Sequence, residues 1–223
     1  MKYHKIAVYL VVLFIGLPIS VNAGWVLYDD FNSGIIDPQK WSEDESSADI
    51  TVVNGRAQFV HKINFPNVSN YLVILQDPSN IFGIKATVSI ASCTGDVRTR
   101  IAANTGDVGA NHVWAALQLQ PGQDRIYTSA GLEGPPPTYT WINDLHYAQF
   151  QRPITVAGNT FDLTMEFSND KITYEVDGLG KIAYKYAAPI DPRTNTFRAM
   201  GTRSTNGDGP CTVYFDDVYV FRP

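Results

Sequence analysis

Three successive segments in the middle of the chain alternate apolar residues with side chains that suit a sugar ligand. Planar polar groups hydrogen-bond to sugar hydroxyls, aromatic rings stack on sugar C–H faces, and arginines attract acidic groups. Alternate residues of a strand share a face, so these side chains are predicted to lie on one side of a sheet. The predicted ligand-binding residues are Arg98, Arg100, Trp114, Gln118, Arg125, Tyr127 and Trp141. The pattern favours a glycan, especially an acidic one; the alternative is an ordinary solvent-facing sheet whose arginines extend over its surface.

Asp216 also needs a chemical explanation, because this carboxylate lies in a strand-like segment from Pro210 to Phe221. β-Forming residues on both faces of this segment predict a central strand. A two-residue period places Asp216 on the same face as Val218 and Val220. A carboxylate on such an inward face is unfavourable unless a cation or hydrogen-bond donors meet it. We therefore expect one or the other at Asp216.

Cys93 and Cys211 are the only cysteines, and neither has a cysteine or histidine at metal-ligand spacing. This disfavours a redox or zinc role. In an oxidising compartment the pair predicts one disulfide that ties the middle of the chain to its last strand. Two free thiols are the alternative.

The first 23 residues read as a secretory signal peptide, followed by one domain at 24–223. Two lysines precede an apolar run that is too short to span a bilayer comfortably, and a small-residue exit ends at Ala23. We expect a secreted or periplasmic protein; an uncleaved N-terminal anchor is the alternative. Loss of the two lysines shifts the formal charge from -5 to -7. An acidic exported domain is a poor partner for nucleic acid, and no stable membrane insertion is expected.

The elements that position these residues are predicted to be β-strands throughout. Asn54-Gly55 is the preferred two-residue hairpin turn, because both residues need positive φ. Residues 161–167 alternate apolar and polar side chains, a turn follows, and residues 172–176 alternate back. No window shows helical periodicity. The roughly 200 residues after the signal suffice for one sandwich and are too few for two domains.

Three short stretches, in this order, resemble the concanavalin A-like lectin/glucanase superfamily, which includes laminin-G-like domains, laminarinases and alginate lyases. They are Asp29-Asp30-Phe31 with Asp37 and Trp41, the segment ITYEVDG at 172–178, and the segment VYFDDVYV at 213–220. The resemblance covers nearly the whole chain after residue 23. It implies an all-β fold, an antiparallel two-sheet jelly-roll β-sandwich. It does not fix function, because such folds carry many activities.

The resemblance also implies a structural calcium site, because many members bind calcium through two backbone carbonyls and a carboxylate. Carried over to this sequence, the ligands fall on Asp30, Gly55 and Asp216. Calcium is a hard cation that accepts such oxygen donors together. The alternative is that Asp216 accepts hydrogen bonds from local backbone N–H groups without metal.

The catalytic motifs that the resemblance implies for enzymes do not occur in this sequence. Retaining glucanases of the superfamily carry Glu-x-Asp-x-Glu on a concave strand, where two carboxylates flank one bond, and this chain has no such motif. The resemblance to alginate lyases places Gln120 where a catalytic histidine stands, and no tyrosine follows residues 197–201. The residues that a lyase would have to recruit are His112 or His146 with Tyr127 or Tyr147.

From these residues we predict a monomeric carbohydrate-binding module that holds an extracellular polysaccharide on its concave face without catalysis. The first alternative is a polysaccharide lyase that acts by β-elimination on a uronate-containing glycan, or a glycoside hydrolase with a rearranged site. The second alternative is a protein-binding, laminin-G-like adhesion module.

Overall fold

A computed structural model of the chain describes residues 23–45, 47–62, 68–93, 97–106, 112–120, 125–133, 141–144, 158–177, 180–185, 189–194, 196–204 and 210–223. For residues 92–93, for the strands between 104 and 144, and for residues 180, 182 and 184, it describes the backbone alone. The predicted signal peptide lies outside this part of the chain except for Ala23.

The described residues form strands joined by turns, with one short 3-10 helix at Pro78–Asn80. The strands are β1 (Gly24–Asp29), β2 (Trp41–Asp44), β3 (Ala48–Val53), β4 (Arg56–His61), β5 (Ser69–Ile74), β6 (Gly83–Cys93), β7 (Val97–Gly106), β8 (His112–Gln120), β9 (Arg125–Glu133), β10 (Trp141–Asp144), β11 (Thr160–Phe167), β12 (Lys171–Val176), β13 (Gly180–Lys185), β14 (Arg198–Ser204) and β15 (Cys211–Arg222). Within the described ranges, no helix has the length and apolar character needed to cross a membrane.

The strands make two antiparallel sheets, which confirms the predicted all-β sandwich. One sheet has eight strands in the order β13-β12-β11-β6-β15-β4-β3, with β1 paired to β15. The other has seven strands in the order β10-β9-β8-β7-β14-β5-β2. The core lies between the sheets because alternate residues face inward, as in β11, where Phe161, Leu163, Met165 and Phe167 are all buried.

The hairpin between β3 and β4 confirms the predicted turn. Asn54 and Gly55 both have positive φ, at 52° and 71°. This is the left-handed region that a two-residue hairpin requires and that asparagine and glycine accept most readily. The turn sets the register in which Val53 faces Arg56.

The strand β15 is central, as predicted, but the predicted face of Asp216 is wrong. A β-bulge shifts the register between β15 and β6 after Asp216, and Asp217 has a φ of 45°. The extra residue reverses the alternation, so that Phe215 and Val218 are both buried and Asp216 is only half-buried. The bulge keeps the apolar residues of both halves of the strand on the core side.

Trp41 anchors the first turn of the chain to the core through a buried carboxylate. The indole is 2% exposed, packs edge-on against Tyr28 and stacks on Phe31. Its Nε1–H donates to Asp29 Oδ2 at 2.7 Å, and the Phe31 N–H donates to Asp29 Oδ1 at 3.0 Å. Lys40 lies 3.6 Å from the same carboxylate, so the charge of Asp29 is compensated on several sides.

Candidate functional site

The seven predicted ligand-binding residues all lie on β7, β8, β9 and β10, which are consecutive neighbours in the seven-stranded sheet. Arg100 is paired with Gln118, and Gln118 is paired with Tyr127. Paired residues of neighbouring strands share a face, and so do residues two apart along a strand. By this register Arg98, Trp114, Arg125 and Trp141 lie on the same face as the three paired residues. The sheet therefore brings the predicted set together; its binding of a ligand stays a prediction.

The same row of paired residues continues into β14 and β5, two strands that the sequence did not suggest as parts of the site. Arg100 is paired with Gly201 of β14, and Gly201 is paired with Tyr71 of β5. Gly201 has no side chain, so the guanidinium of Arg100 reaches across β14. Its Nη2 donates to Ser69 Oγ at 2.6 Å and to the hydroxyl of Tyr71, and its charge lies 4.8 Å from the Tyr71 ring centre. The Tyr71 ring in turn packs edge-on against Phe197.

Arg203 adds a fourth arginine to this face, after Arg98, Arg100 and Arg125, and it lies directly opposite Arg98 in the ladder between β14 and β7. Both side chains are half-buried, and the Nε of each is buried without a hydrogen-bond partner among the residues that the structure describes. The ion pairs of the described residues include neither of them. Like charges opposite one another destabilise a sheet, so this pair needs an anion or another role.

Arg100 is 2% exposed although it lies on the outer face. Burial, with a contribution from the nearby Arg203 charge, lowers the pKa of Arg100 to about 9. The guanidinium is therefore still protonated at neutral pH. We call the half-buried Arg98 and Arg203, together with the buried Arg100 beside them, the arginine face. A guanidinium presents several N–H donors in one plane, which suits carboxylate and sulfate oxygens.

Three carboxylates share the outer face of the seven-stranded sheet by register. Asp44 is paired with Tyr71 at one end of the sheet. At the other end, Glu133 of β9 is paired with both His112 and Trp141, and Asp144 of β10 is paired with Gly131. Glu133 and Asp144 thus occupy neighbouring strands, two positions apart along the ladder. A search along one strand for Glu-x-Asp-x-Glu could not find this arrangement, because it is spread over two strands.

The residues predicted to bind calcium lie near one another on the eight-stranded side. Asp216 feels the charge of Asp30, and Asn32 Oδ1 lies 2.8 Å from the point where a Cβ on Gly55 would stand. Burial raises the pKa of the Asp216 carboxyl, and the negative charges of Asp217 and Asp30 act in the same direction. Oxygen donors that repel one another suit a hard cation.

The alternative for Asp216 is also visible, because its Oδ1 accepts the backbone N–H of Asp217 at 2.9 Å. Among the described residues, no group of three or more histidine, cysteine, aspartate or glutamate side chains could hold a metal ion. A site here would therefore depend on backbone carbonyls and water for most of its ligands. Calcium at Asp30, Gly55 and Asp216 stays a prediction.

A contact between a serine and a histidine elsewhere in the chain is part of the core. Ser47 Oγ lies 3.2 Å from His61 Nε2, and the amide of Asn70 hydrogen-bonds to Ser47. His61 Nδ1 lies 2.9 Å from the carbonyl oxygen of Lys62. All three side chains are at most 1% exposed, so a substrate cannot reach them. Burial lowers the pKa of His61, so the ring is neutral at pH 7, with Nδ1–H donating to Lys62 O.

The fold is the concanavalin A-like jelly roll, a class that several solved structures share with this chain over most of its length. The κ-carrageenase of Pseudoalteromonas carrageenovora, solved with an oligotetrasaccharide of κ-carrageenan, has a TM-score of 0.64 at 13% identity, covering 93% of this chain and 99% of that one. The β-glucanase of Bacillus licheniformis has a TM-score of 0.59 at 12% identity, covering 90% and 98%.

A third solved structure comes from work on endo-acting O-glycanases of the human gut microbiota that initiate mucin breakdown. It has a TM-score of 0.60 at 12% identity and covers 90% of this chain and 98% of that one. No protein-family model matches the chain, and no curated protein matches it in sequence.

These comparisons contradict the prediction of a non-catalytic binding module, because the three solved structures named above come from work on enzymes that cleave glycans. At 12 to 13% identity the likeness establishes the fold and carries over no residue. The prediction rested on the absence of the glucanase motif and of the lyase histidine and tyrosine, and these absences do not exclude catalysis by residues on different strands.

Proposed function

We propose that the chain is an endo-acting glycoside hydrolase that cleaves an anionic polysaccharide on the outer face of its seven-stranded sheet. The opposed pair in the arginine face carries this proposal: Arg98 and Arg203 face each other on neighbouring strands, and neither takes part in an ion pair among the described residues. Six interstrand spacings of about 4.8 Å make the face roughly 29 Å wide, which accommodates several sugar units. A chain that runs across such a face is cut internally.

Glu133 and Asp144 are the carboxylates that we assign to the hydrolysis. The reaction needs one carboxylic acid to protonate the glycosidic oxygen and one carboxylate to attack the sugar or to activate water. Their place on adjacent strands, at the end of the sheet that holds Trp114 and Trp141, supports this assignment. We assign to His112, which is paired with Glu133 in the ladder, the role of orienting that carboxylate.

The test is to incubate the chain without residues 1–23 with κ-carrageenan, alginate and the neutral glucan laminarin, following reducing ends and absorbance from unsaturated uronates in parallel. We expect reducing ends from an anionic substrate without new absorbance. Glu133→Gln and Asp144→Asn should each lower the rate by about 10²- to 10⁴-fold. Glu43→Gln, which removes an exposed glutamate from β2, serves as the matched control. Cleavage of laminarin alone would contradict the anionic substrate, and no cleavage of any substrate would contradict the enzyme.

The row formed by Tyr71, Gly201, Arg100, Gln118 and Tyr127 supports a lyase as the second candidate. A lyase neutralises a uronate carboxylate with arginine and glutamine and removes a proton with a nearby base such as tyrosine. Tyr71 and Tyr127 flank the pair of Arg100 and Gln118. Absorbance from unsaturated uronates on alginate, lost in Tyr71→Phe or Tyr127→Phe, would favour this reaction over hydrolysis.

We also propose that the protein acts as an exported monomer, secreted or periplasmic, with one disulfide between Cys93 and Cys211. The two cysteines are directly paired between β6 and β15, and paired residues of antiparallel strands have Cα atoms about 4.5–5.5 Å apart, a separation that a disulfide spans. Mass spectrometry of the exported protein, with and without reductant, tests both the cleavage after Ala23 and the bridge.

Calcium at Asp30, Gly55 and Asp216 would stabilise the fold and take no part in the chemistry, because these residues belong to the eight-stranded sheet and its hairpin. A chelator should lower the melting temperature of the wild type and leave that of Asp216→Asn unchanged. A wild-type melting temperature that a chelator does not move would contradict the site.

A further inference from the structure

A groove of about 410 Å³ lies on the outer face of the eight-stranded sheet, on the opposite side of the molecule's core from the arginine face. Its lining includes two aromatic residues, Trp25 and Tyr219, together with Lys85, Asp162, Thr164 and Glu166. Flat aromatic rings beside hydrogen-bonding side chains are the two features that a sugar ligand requires.

Trp25 lines this groove and packs against residues of β6 and β15. It is paired with Phe221, which is paired with Gly83, which is paired with Glu166. A Cβ on Gly83 would stand 2.9 Å from Trp25 Cη2, so the glycine makes room for the indole to lie over β6. The indole also packs against the ring of Phe221, with centroids 5.6 Å apart, and it stays 36% exposed. The exposed surface of the ring is therefore available as a platform.

The polar side chains of the groove divide into paired and unpaired groups. Lys85 lies 3.8 Å from Asp162, whose other oxygen accepts from Thr87, and Lys181 lies 3.1 Å from Glu175. Thr164, Glu166 and Tyr219 are half-buried. In the described part of the chain the side chains of these three residues make no hydrogen bond, although the charge of Glu166 acts on Lys181. They can therefore bind hydroxyl groups without first breaking a contact within the protein.

We propose that this groove binds an uncharged oligosaccharide, with a sugar ring stacked on Trp25 and sugar hydroxyls donating to Glu166. Four carboxylates line the groove, at Asp162, Glu166, Glu175 and Asp177, whereas only Lys85 in the lining and Lys181 beside Glu175 and Glu166 offset them, so the net charge is negative. The remaining negative charge repels an acidic glycan, and hydroxyl donors match the acceptors that are left. The two faces of the molecule therefore select glycans of different charge, and the groove does not depend on the proposed hydrolysis.

The test uses isothermal titration calorimetry of the chain without residues 1–23 with laminarihexaose, cellohexaose, chitosan hexamer and an alginate oligomer. We expect binding of a neutral hexamer that Trp25→Ala weakens by about tenfold or more, the usual effect of removing a central aromatic contact. Glu166→Gln, a surface change that leaves the packing of Trp25 intact, should weaken binding by about five- to tenfold. Ile35→Ala, which removes a side chain that is 61% exposed in a distant loop, is the control.

Three results would overturn the proposal: no binding of either neutral hexamer, equal binding by wild type, Trp25→Ala and Glu166→Gln, or binding confined to the chitosan hexamer. Binding of a neutral hexamer that Arg98→Ala abolishes and Trp25→Ala leaves unchanged would also overturn the proposal, because the ligand would then lie on the arginine face. Melting curves show whether each variant is folded. If Trp25→Ala does not fold, Glu166→Gln alone decides the test.

Discussion

Replacement of Arg203 by glutamine should have opposite effects on ligand binding and on stability. In the free protein Arg203 faces Arg98 across the ladder, and the Nε of each is buried without a partner among the described residues. Like charges in this position destabilise a sheet by roughly 0.2–1 kcal/mol. Arg203→Gln removes that repulsion and one buried donor, so the free energy of unfolding should stay constant or rise by up to about 1 kcal/mol.

The same substitution should weaken the binding of an anionic glycan. A hydrogen bond between charged groups contributes about 1.5–3 kcal/mol, which corresponds to a loss of roughly 10- to 150-fold in affinity. Calorimetry with a κ-carrageenan or alginate oligomer gives the affinity, and urea unfolding gives the free energy of unfolding at constant slope. Binding of the wild type should also weaken as salt is raised, since the contact is between charges.

Arg222→Gln provides the matched control for this experiment. Arg222 is also half-buried, but it lies 3.0 Å from Asp77 and donates to the carbonyl of Gln76 at 3.1 Å. Its loss should therefore lower stability by about 0.2–1 kcal/mol and leave the affinity unchanged. If Arg203→Gln instead lowered stability by more than about 1 kcal/mol and left affinity unchanged, the arginine face would be a structural feature and the argument for an anionic substrate would fail.

Three further substitutions test the fold around the two sheets. Burial lowers the pKa of His61 below its ordinary 6.5, so the free energy of unfolding of the wild type should be full above pH 6.5 and should fall as the pH drops below that value. Urea unfolding at several pH values should show that His61→Gln loses this dependence on pH. If His61→Gln kept the dependence, another group would be its cause. Trp41→Phe removes the donor to the buried Asp29 and should cost about 2–4 kcal/mol, whereas a cost below about 1 kcal/mol would mean that water replaces the indole. Gly201→Ala places a Cβ 1.9 Å from the carbonyl oxygen of Asn70 and should lower the melting temperature by more than about 8 °C; a soluble variant with wild-type melting would show that the two strands can separate at little cost.

Local sequence was sufficient for the strands and for one turn. Alternation along 161–167 and 172–176 reports which residues meet the core, because the period of a strand is fixed by its backbone. Asn54 and Gly55 predict a two-residue turn, because few other residues accept two successive positive φ values. These features depend on neighbours in the chain and so can be predicted from a single sequence.

The bulge in β15 was not predicted, because its cause lies in the packing of the whole strand. Asp216 and Asp217 both tolerate an irregular backbone, and nothing local distinguishes a regular strand from a bulged one. The distinction comes from the core, which must cover Phe215 and Val218 at once. A strict two-residue period could only give the wrong face for Asp216.

Only part of the candidate site was predicted, because the rest depends on which strands lie next to one another in the folded sheet. Alternation assigned Arg98 and Arg100 to an outer face, but the strands beside them come from distant parts of the chain. Only the register brings Gly201 and Tyr71 next to Arg100 and places Arg203 opposite Arg98. The carboxylates Glu133 and Asp144 lie on different strands, so no spacing within one strand could have predicted that they are neighbours.

The position of β15 makes the eight-stranded sheet dependent on the last strand in the sequence. Its partners β6, β4 and β1 all precede it, and β15 lies against β6 on one side and against β4 and then β1 on the other. Among the described strands, β15 alone joins β13-β12-β11-β6, the hairpin β3-β4 and β1 into one sheet. Closing such distant contacts is slow, because the entropy of the long intervening chain is lost first. We therefore expect β15 to pair with β6 and β4 late in folding.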